Sequence, residues 1–234
     1  MTSFVHYYQI HPGFCLGFAF KPAESTLNQL VQLLSSPANP KKAHPQNTLN
    51  GRREVLIADL PETGRVVVKF YARGGLIYHI NKERYLRLGK PRCQIEFEFM
   101  QKAADAGVSV PEPVAFATLG KRIYTAWLIT RVVASHQTFA TICRTDADRA
   151  KMLISPISDN INKLIAANIH HVDLHPGNIL IDGDNTPYII DFDRARIFPG
   201  SKAQLWKKYQ QRWDRAATKH GLPGFTKAVF KKTT

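Results

Sequence analysis

Three oxygen-bearing side chains stand at spacings that suit phosphoryl transfer. Asp173 and Asn178 bracket the loop Asp173-Leu174-His175-Pro176-Gly177-Asn178, and Asp191 follows after two apolar runs, Ile179-Leu180-Ile181 and Tyr188-Ile189-Ile190. An aspartate in the first position can accept or orient the proton of an attacking hydroxyl. A neutral amide oxygen and a second carboxylate supply the hard oxygen ligands that Mg2+ prefers. The two apolar runs, parted by Asp184-Asn185-Thr186, read as a hairpin that fixes the separation of the three side chains. Pro176 and Gly177 allow the tight loop that turns Asn178 back toward Asp173. Each carboxylate taken singly reads as a turn former, but the set in this order and strand context reads as a site.

Phosphoryl transfer from a nucleotide also calls for a lysine on the phosphates and a carboxylate that orients it. Lys69 sits inside Val66-Val67-Val68-Lys69-Phe70-Tyr71, where an ammonium is costly without a partner. Glu96 and Glu98 compete for that role, and Glu96, at the margin of the apolar stripe through Ile95, Phe99 and Met100, is preferred. No GxGxxG phosphate loop is present. Residues 50–53 are the expected cover for the phosphates, with Arg52 or Arg53 adding charge, and ATP and Mg2+ are the expected cofactors. A second chemistry competes for the same stretch, because His170, His171, Asp173 and His175 form an HHxDxH cluster dense enough for a transition-metal hydrolase. No second cluster lies downstream to complete such a site, and it leaves Asn178 and Asp191 without a task. His171 is therefore expected to pack and orient the loop, and His170 to be satisfied locally.

The elements that must hold these residues follow from periodicity. Residues 25–35 have helical spacing, residues 35–47 are rich in Pro, Asn and Lys and read as a loop, and residues 55–60 and 65–72 read as a hairpin through Pro61-Glu62-Thr63-Gly64. Residues 92–106 read as a helix capped by Gly107, residues 110–116 as extended, residues 123–130 as a buried strand and residues 146–168 as mainly helical. The expectation is an α+β chain of two lobes. A β-rich N-lobe over residues 1–133 grips the nucleotide and carries an extension at 1–50, and a small α-rich C-lobe over 134–234 holds the catalytic loop, the metal site and a basic closing helix near 201–218.

Thirty-two Lys and Arg against 18 Asp and Glu give a net charge of +14, a field that attracts polyanions. The chain shows no RNP, helix-turn-helix or zinc-module pattern, so nucleic acid is not an expected partner. Cys15, Cys93 and Cys143, without a CxxC, suggest neither a disulfide framework nor a zinc site and fit a reducing compartment. The first residues lack a signal-peptide pattern, and no apolar run is long enough to span a membrane. In the closing helix Trp206, Tyr209, Trp213 and Ala217 recur at helical spacing among Lys207, Lys208, Arg212, Arg215 and Lys219. Packing of that aromatic stripe is preferred over membrane anchoring, with the cations facing an anionic membrane surface in both cases.

The set Lys69, Arg73-Gly74-Gly75-Leu76, Tyr85, Arg92, Glu96-Phe97, Val110-Pro111, Pro113-Val114, His171-x-Asp173-Leu174, Asn178-Ile179-Leu180 and Ile190-Asp191-Phe192-Asp193 resembles a known family. It is similar to the lipopolysaccharide core kinases of the Kdo (3-deoxy-D-manno-octulosonic acid) kinase type, in the protein-kinase-like superfamily, over roughly residues 50–200. The resemblance implies a two-lobed protein-kinase-like fold and transfer of the ATP γ-phosphate to the 4-OH of Kdo on a lipid A-linked glycolipid. It places such an enzyme peripherally at the cytoplasmic face of a Gram-negative inner membrane. It also implies that Asp173 is the catalytic aspartate, Asp191 a magnesium ligand and Lys69 the ATP lysine. The His175-Pro176-Gly177-Asn178 form is similar to that of aminoglycoside- and choline-type kinases as well. Heptose, a small alcohol and a protein hydroxyl are therefore alternative acceptors, and a pseudokinase binding module is the alternative outside catalysis. The short span after Asp191, residues 194–234, disfavours a protein acceptor, and the presence of Lys69, Asp173, Asn178 and Asp191 together disfavours a pseudokinase.

Overall fold

The β-branched runs and amphipathic stretches fold into two compact units in a computed structural model of the chain, which describes residues 5–35, 44–48, 51–71, 85–86 and 89–230, with backbone alone at 44–48, 51–54 and 85–86. One unit comprises Met1–Asn47, Arg52–Glu98 and Glu112–Val132, and the other comprises Thr48–Gly51, Phe99–Pro111 and Val133–Thr234. The α+β class expected from the sequence is observed, with the large sheet in the first unit and most of the helices in the second. Phe99–Pro111 falls in the second unit, where the Ser109 N–H donates to Asn160 Oδ1 at 3.0 Å and the Ser109 carbonyl accepts from the Ile189 N–H at 2.9 Å.

The first unit contains, but for the end residues Thr48 and Gly51, β1 (His6–His11), β2 (Phe14–Phe18), α1 (Glu24–Ser35), β3 (His44–Thr48), β4 (Gly51–Leu60), β5 (Gly64–Phe70), β6 (Tyr85–Leu86), β7 (Pro113–Leu119) and β8 (Ile123–Arg131), while α2 (Arg92–Asp105) runs from this unit into the next. The strand order is β1-β2-β7-β8-β5-β4-β3, with β6 also against β8. Alternation along β5 gives the sheet two distinct faces. Val66 and Val68 pack with Leu30 and Leu34 of α1 and with Phe14, Leu16, Phe18, Trp127 and Ile129. Lys69 and Tyr71 fall on the opposite face, where α2 lies. That helix ends as its sequence predicts: Gly107 takes φ +77, and the Val108 N–H closes on the Ala103 carbonyl at 2.9 Å.

Two stretches depart from the sequence reading. The β1–β2 hairpin was not expected, since the outer strand His6–His11 is mostly exposed and shows no apolar alternation. His44–Thr48, read as loop, is β3 at the far edge of the sheet. Backbone pairing rather than side-chain packing defines such an edge strand, and Pro45 is tolerated there.

The second unit contains β9 (Gln137–Thr138), α3 (Phe139–Thr145), α4 (Ala147–Met152), α5 (Ile154–Ala166), β10 (Ile169–His170), β11 (Ile179–Ile181), β12 (Pro187–Ile189), β13 (Arg196–Ile197) and α6 (Lys202–Lys219). A Ser201–Gln204 capping box starts α6. Its aromatic stripe is core. Trp213 is fully buried between Phe139 and Phe230, with ring centroids at 6.1 and 5.8 Å, and Trp206 stands edge-on to Phe230 at 5.8 Å. The packing alternative of the sequence reading is the one the aromatics adopt.

Candidate active site

In the first unit the face of β5 that carries Lys69 meets the buried face of α2. Lys69 Nζ lies 2.9 and 2.8 Å from Glu96 Oε1 and Oε2. The Tyr71 hydroxyl donates to the same Oε2, and the ammonium stands 5.0 Å from the Tyr71 ring centroid. The Glu96 side chain is 2% exposed and that of Lys69 18%. A carboxylate so buried is held by its donors, and loss of either partner would leave a charge in a low-dielectric setting. Glu98, the rival candidate, instead takes Lys90 Nζ at 2.8 and 3.0 Å near the surface.

In the second unit residues 169–178 are clasped from several sides. The Tyr209 hydroxyl, buried under the loop, donates to the Ile169 carbonyl at 2.5 Å and accepts from the His171 N–H at 2.8 Å. His171 Nε2 lies 2.9 Å from the Ile190 carbonyl, which can only accept, so Nε2 carries the proton. Burial holds the His171 pKa down and keeps the ring neutral. That ring stands edge-on to Phe192 at 4.7 Å. His171 thereby ties the Asp173 loop to the segment leading into Asp191. The Gly177 N–H donates to His175 Nδ1 at 3.0 Å, closing a 3-10 turn over Pro176–Asn178. The His175 Nε2–H therefore faces Asp173 Oδ2, 3.9 Å away. Burial, reinforced by the Arg212 guanidinium, lowers the His175 pKa to about 4.

Asn178 is anchored by both its side chain and its backbone. Its Nδ2 donates to the Asp173 carbonyl at 3.0 Å, and its own carbonyl accepts from the Ile190 N–H at 3.0 Å. Oδ1 is then the oxygen it can offer a cation. β11 and β12 pair antiparallel with Ile179 opposite Ile189, so Asn178 and Asp191 flank the open end of one hairpin. Asn160 of α5 braces that hairpin by donating to the Pro187 carbonyl at 3.1 Å. Asp191 is 7% exposed and has φ +73, a left-handed conformation that non-glycine residues hold only where the surroundings impose it. An amide oxygen and one carboxylate suit Mg2+, which keeps its remaining positions for water and phosphate oxygens.

The rival metal cluster does not assemble. Among the described residues no three His, Cys, Asp or Glu side chains converge as a metal-holding group. His170 turns away to pack edge-on against Phe198 and Tyr209, at 5.5 and 5.9 Å. Its buried Nδ1 has no hydrogen-bond partner among the described residues, which corrects the expectation that it is satisfied locally. The aromatic setting explains this, since burial lowers its pKa to about 4 and leaves a neutral ring that packs as a hydrophobe.

Two participants escaped the sequence reading. Tyr71 shares the Lys69 face through its i+2 spacing, a signal the strand pattern did carry. Arg212 of α6 places Nε 2.9 Å from Asp173 Oδ1, and its Nη2 contacts the same oxygen. In the sequence it is one cation of a basic helix, and nothing local distinguishes it. Arg52 and Arg53 lie on β4 with side chains outside the described residues, and residues 50 and 73–76 lie outside them altogether.

Comparison with known proteins concerns the same residues. The sequence model of the lipopolysaccharide kinase (Kdo/WaaP) family matches residues 39–216, a span that holds Lys69, Glu96, Asp173, Asn178, Asp191 and Arg212. The 3-deoxy-D-manno-octulosonic acid kinase of Vibrio vulnificus strain YJ016 is 33% identical over 148 residues, and the match spans 62% of this chain and 62% of the length of that relative. The protein of the same name from Vibrio cholerae is 30% identical over 178 residues, 74% of each chain. That from Stenotrophomonas maltophilia strain K279a is 33% identical over 176 residues, 71% of this chain and 67% of the relative. With more than half of its length matched by the family, the chain belongs to the lipopolysaccharide kinase (Kdo/WaaP) family.

Proposed function

We propose that the protein is an ATP-dependent kinase that phosphorylates a sugar hydroxyl of the lipopolysaccharide inner core, the 4-OH of Kdo on a lipid A-linked acceptor. The observation that carries this reading is the clasp of Asp173 and Asn178 to the segment entering Asp191, made by His171 and by the Ile190–Asn178 backbone bond. The names of the relatives point to Kdo.

In this reading Asp173 is the base. The acceptor O–H breaks as its oxygen bonds to the γ-phosphorus, the bond from that phosphorus to the β–γ bridging oxygen breaks, ADP leaves, and the proton passes to Asp173. Lys69, oriented by Glu96, grips the nucleotide phosphates, and Arg52 and Arg53 add charge there. Asn178 and Asp191 hold Mg2+, which when bound neutralises phosphate charge.

The site of action is the cytoplasmic face of the Gram-negative inner membrane, with peripheral attachment. Among the described residues no helix is long and apolar enough to cross a membrane. The net charge of +14 favours an anionic leaflet, where each nearby cation contributes about 1 kcal/mol.

The test is ATP consumption with Mg2+ across a Kdo-bearing lipid A precursor, a heptose-bearing acceptor, free sugars and a protein. Turnover confined to the Kdo-bearing acceptor is expected. Turnover only with another alcohol would discard the Kdo assignment, and none with any acceptor would move the reading to a nucleotide-binding module.

A further inference from the structure

The two oxygens of the Asp173 carboxylate are not equivalent. Oδ1 takes both the Nε–H and an Nη2–H of Arg212, whereas Oδ2 faces His175 Nε2, 3.9 Å away. A base needs only one oxygen for an incoming hydroxyl, so Oδ2 is the one presented to it. A guanidinium carries five N–H donors in a rigid fork. Two of those of Arg212 are spent on Asp173, and the other three make no hydrogen bond to a described residue. The Arg212 side chain is 24% exposed and that of Asp173 29%, so the pair is only partly covered.

The setting is cationic beyond that one residue. Lys208, Arg212, Arg215 and Lys219 follow one another at i, i+4, i+7 and i+11 along α6, one stripe of the helix. Arg144 Nη2 donates to the His220 carbonyl at 3.0 Å, bringing a further cation to the end of that stripe. Burial first, and then Lys219, Arg144 and Arg212, hold the His220 pKa down, so these cations act on a common region. An anion arriving beside Asp173 meets these cations and a fork with donors to spare.

We propose that Arg212 is the receptor for an acidic group on the acceptor: it holds Asp173 Oδ1 with two N–H groups and the acceptor carboxylate with the others, so that a hydroxyl on the same ring is set against Oδ2. This rests on the kinase reading above and extends it. Arg212 becomes the residue that makes the enzyme choose hydroxyls on acidic sugars over those on neutral ones. Kdo, with a carboxylate beside its ring, has this chemistry.

The test compares an acidic acceptor with its neutral methyl ester, using the full chain as wild type, Arg212→Met and Arg212→Lys. Binding of Kdo and of Kdo methyl ester is measured by calorimetry, and kcat and KM are measured with the acid and ester forms of the Kdo-bearing acceptor. A charge-assisted, forked contact is expected to give wild type a preference for the acid of about tenfold or more. In Arg212→Met the acid and the ester should bind alike, at the level of the wild-type ester, and the acid-to-ester ratio of kcat/KM should fall to about one. Arg212→Lys should keep part of the preference, since it keeps the charge and loses the fork. The ratio guards against a trivial result, because any disturbance of Asp173 lowers both acceptors together. If Arg212→Met loses kcat yet keeps the wild-type ratio, Arg212 merely positions Asp173 and the proposal is wrong. If wild type phosphorylates the Kdo-bearing acceptor but shows no acid preference, the proposal fails and the kinase reading stands. If wild type puts no phosphate on that acceptor, the Kdo assignment itself fails and takes the proposal with it. Arg212 lies at the edge of the buried stripe of α6 rather than within it, so a folded variant, checked by melting temperature, is expected.

Discussion

Replacing Lys69 with Met removes a cation and leaves the anion it covers. Glu96 would keep the Tyr71 hydroxyl as a donor, at a position where its side chain is 2% exposed. The variant can leave that carboxylate charged and poorly solvated, or protonate it. Protonation at pH 7 costs roughly 1.4 kcal/mol for each pH unit above the reference carboxyl value near 4.3, about 3.7 kcal/mol in all. Removal of one partner from a buried ion pair typically costs about 3–5 kcal/mol. The two figures agree, and with Tyr71 still donating, a deficit of about 3 kcal/mol is expected at pH 7. The sign of its pH dependence follows. In the folded variant the carboxyl titrates above its unfolded value, so the stability gained from the bound proton is present at low pH and lost as pH rises. The gap from wild type should therefore widen from pH 5 to pH 7. Lys69→Met/Glu96→Met removes both charges and should recover most of the stability at pH 7 while ATP turnover stays lost. Urea unfolding at both pH values, with ATP KM and kcat in parallel, measures all of this. A Lys69→Met deficit below about 1 kcal/mol, or a double variant no more stable than the single one, would refute the buried-pair argument.

Asp173→Asn should lower kcat by about 100-fold or more with ATP KM little changed, because a base acts on the transition state; unchanged turnover in a kinetic assay would remove it from the mechanism. Asp191→Asn should raise the Mg2+ concentration needed for half-maximal activity, and a titration overlying wild type would contradict its role as a ligand. Tyr209→Phe strands the buried Ile169 carbonyl and His171 N–H, so it should cost about 1–3 kcal/mol in unfolding and lower kcat through the loop. The His175 pKa of about 4, below its unfolded value, means that the folded state binds fewer protons between those values. Stability should be full above about pH 6.5 and fall by up to about 3 kcal/mol as pH drops to 4. His175→Asn, whose side chain can still accept from the Gly177 N–H, should flatten that profile in thermal melts.

What could be read from the sequence was local. Asp173, Asn178 and Asp191 were visible because one loop and the hairpin that follows it carry them, so chain spacing stands in for spatial distance. Lys69 was visible because a charge inside a β-branched run demands a partner, and helical phase was enough to prefer Glu96 over Glu98. Arg212 was hidden for the opposite reason. Its partner lies 39 residues away, and its own neighbourhood offers several equivalent cations. Tyr209 shows the same limit: its helical spacing predicts burial, but the bridge from its hydroxyl to Ile169 and His171 depends on where another loop passes. The β1–β2 hairpin and β3 were missed because edge strands are defined by backbone pairing. Phe99–Pro111 falls in the second unit, and its Ser109 hydrogen bonds to Asn160 and Ile189 are long-range contacts that no composition shift announces.

The central claim is that Asp173 directs the γ-phosphate of ATP onto a Kdo hydroxyl. Incubation of wild type and Asp173→Asn with Mg2+, γ-labelled ATP and a Kdo-lipid A acceptor, followed by location of the label by phosphorus NMR and fragment mass, tests it most directly. The account predicts a phosphate ester at the Kdo 4-OH with wild type and almost none with Asp173→Asn. Label found only as free phosphate, or on another part of the acceptor, would contradict it.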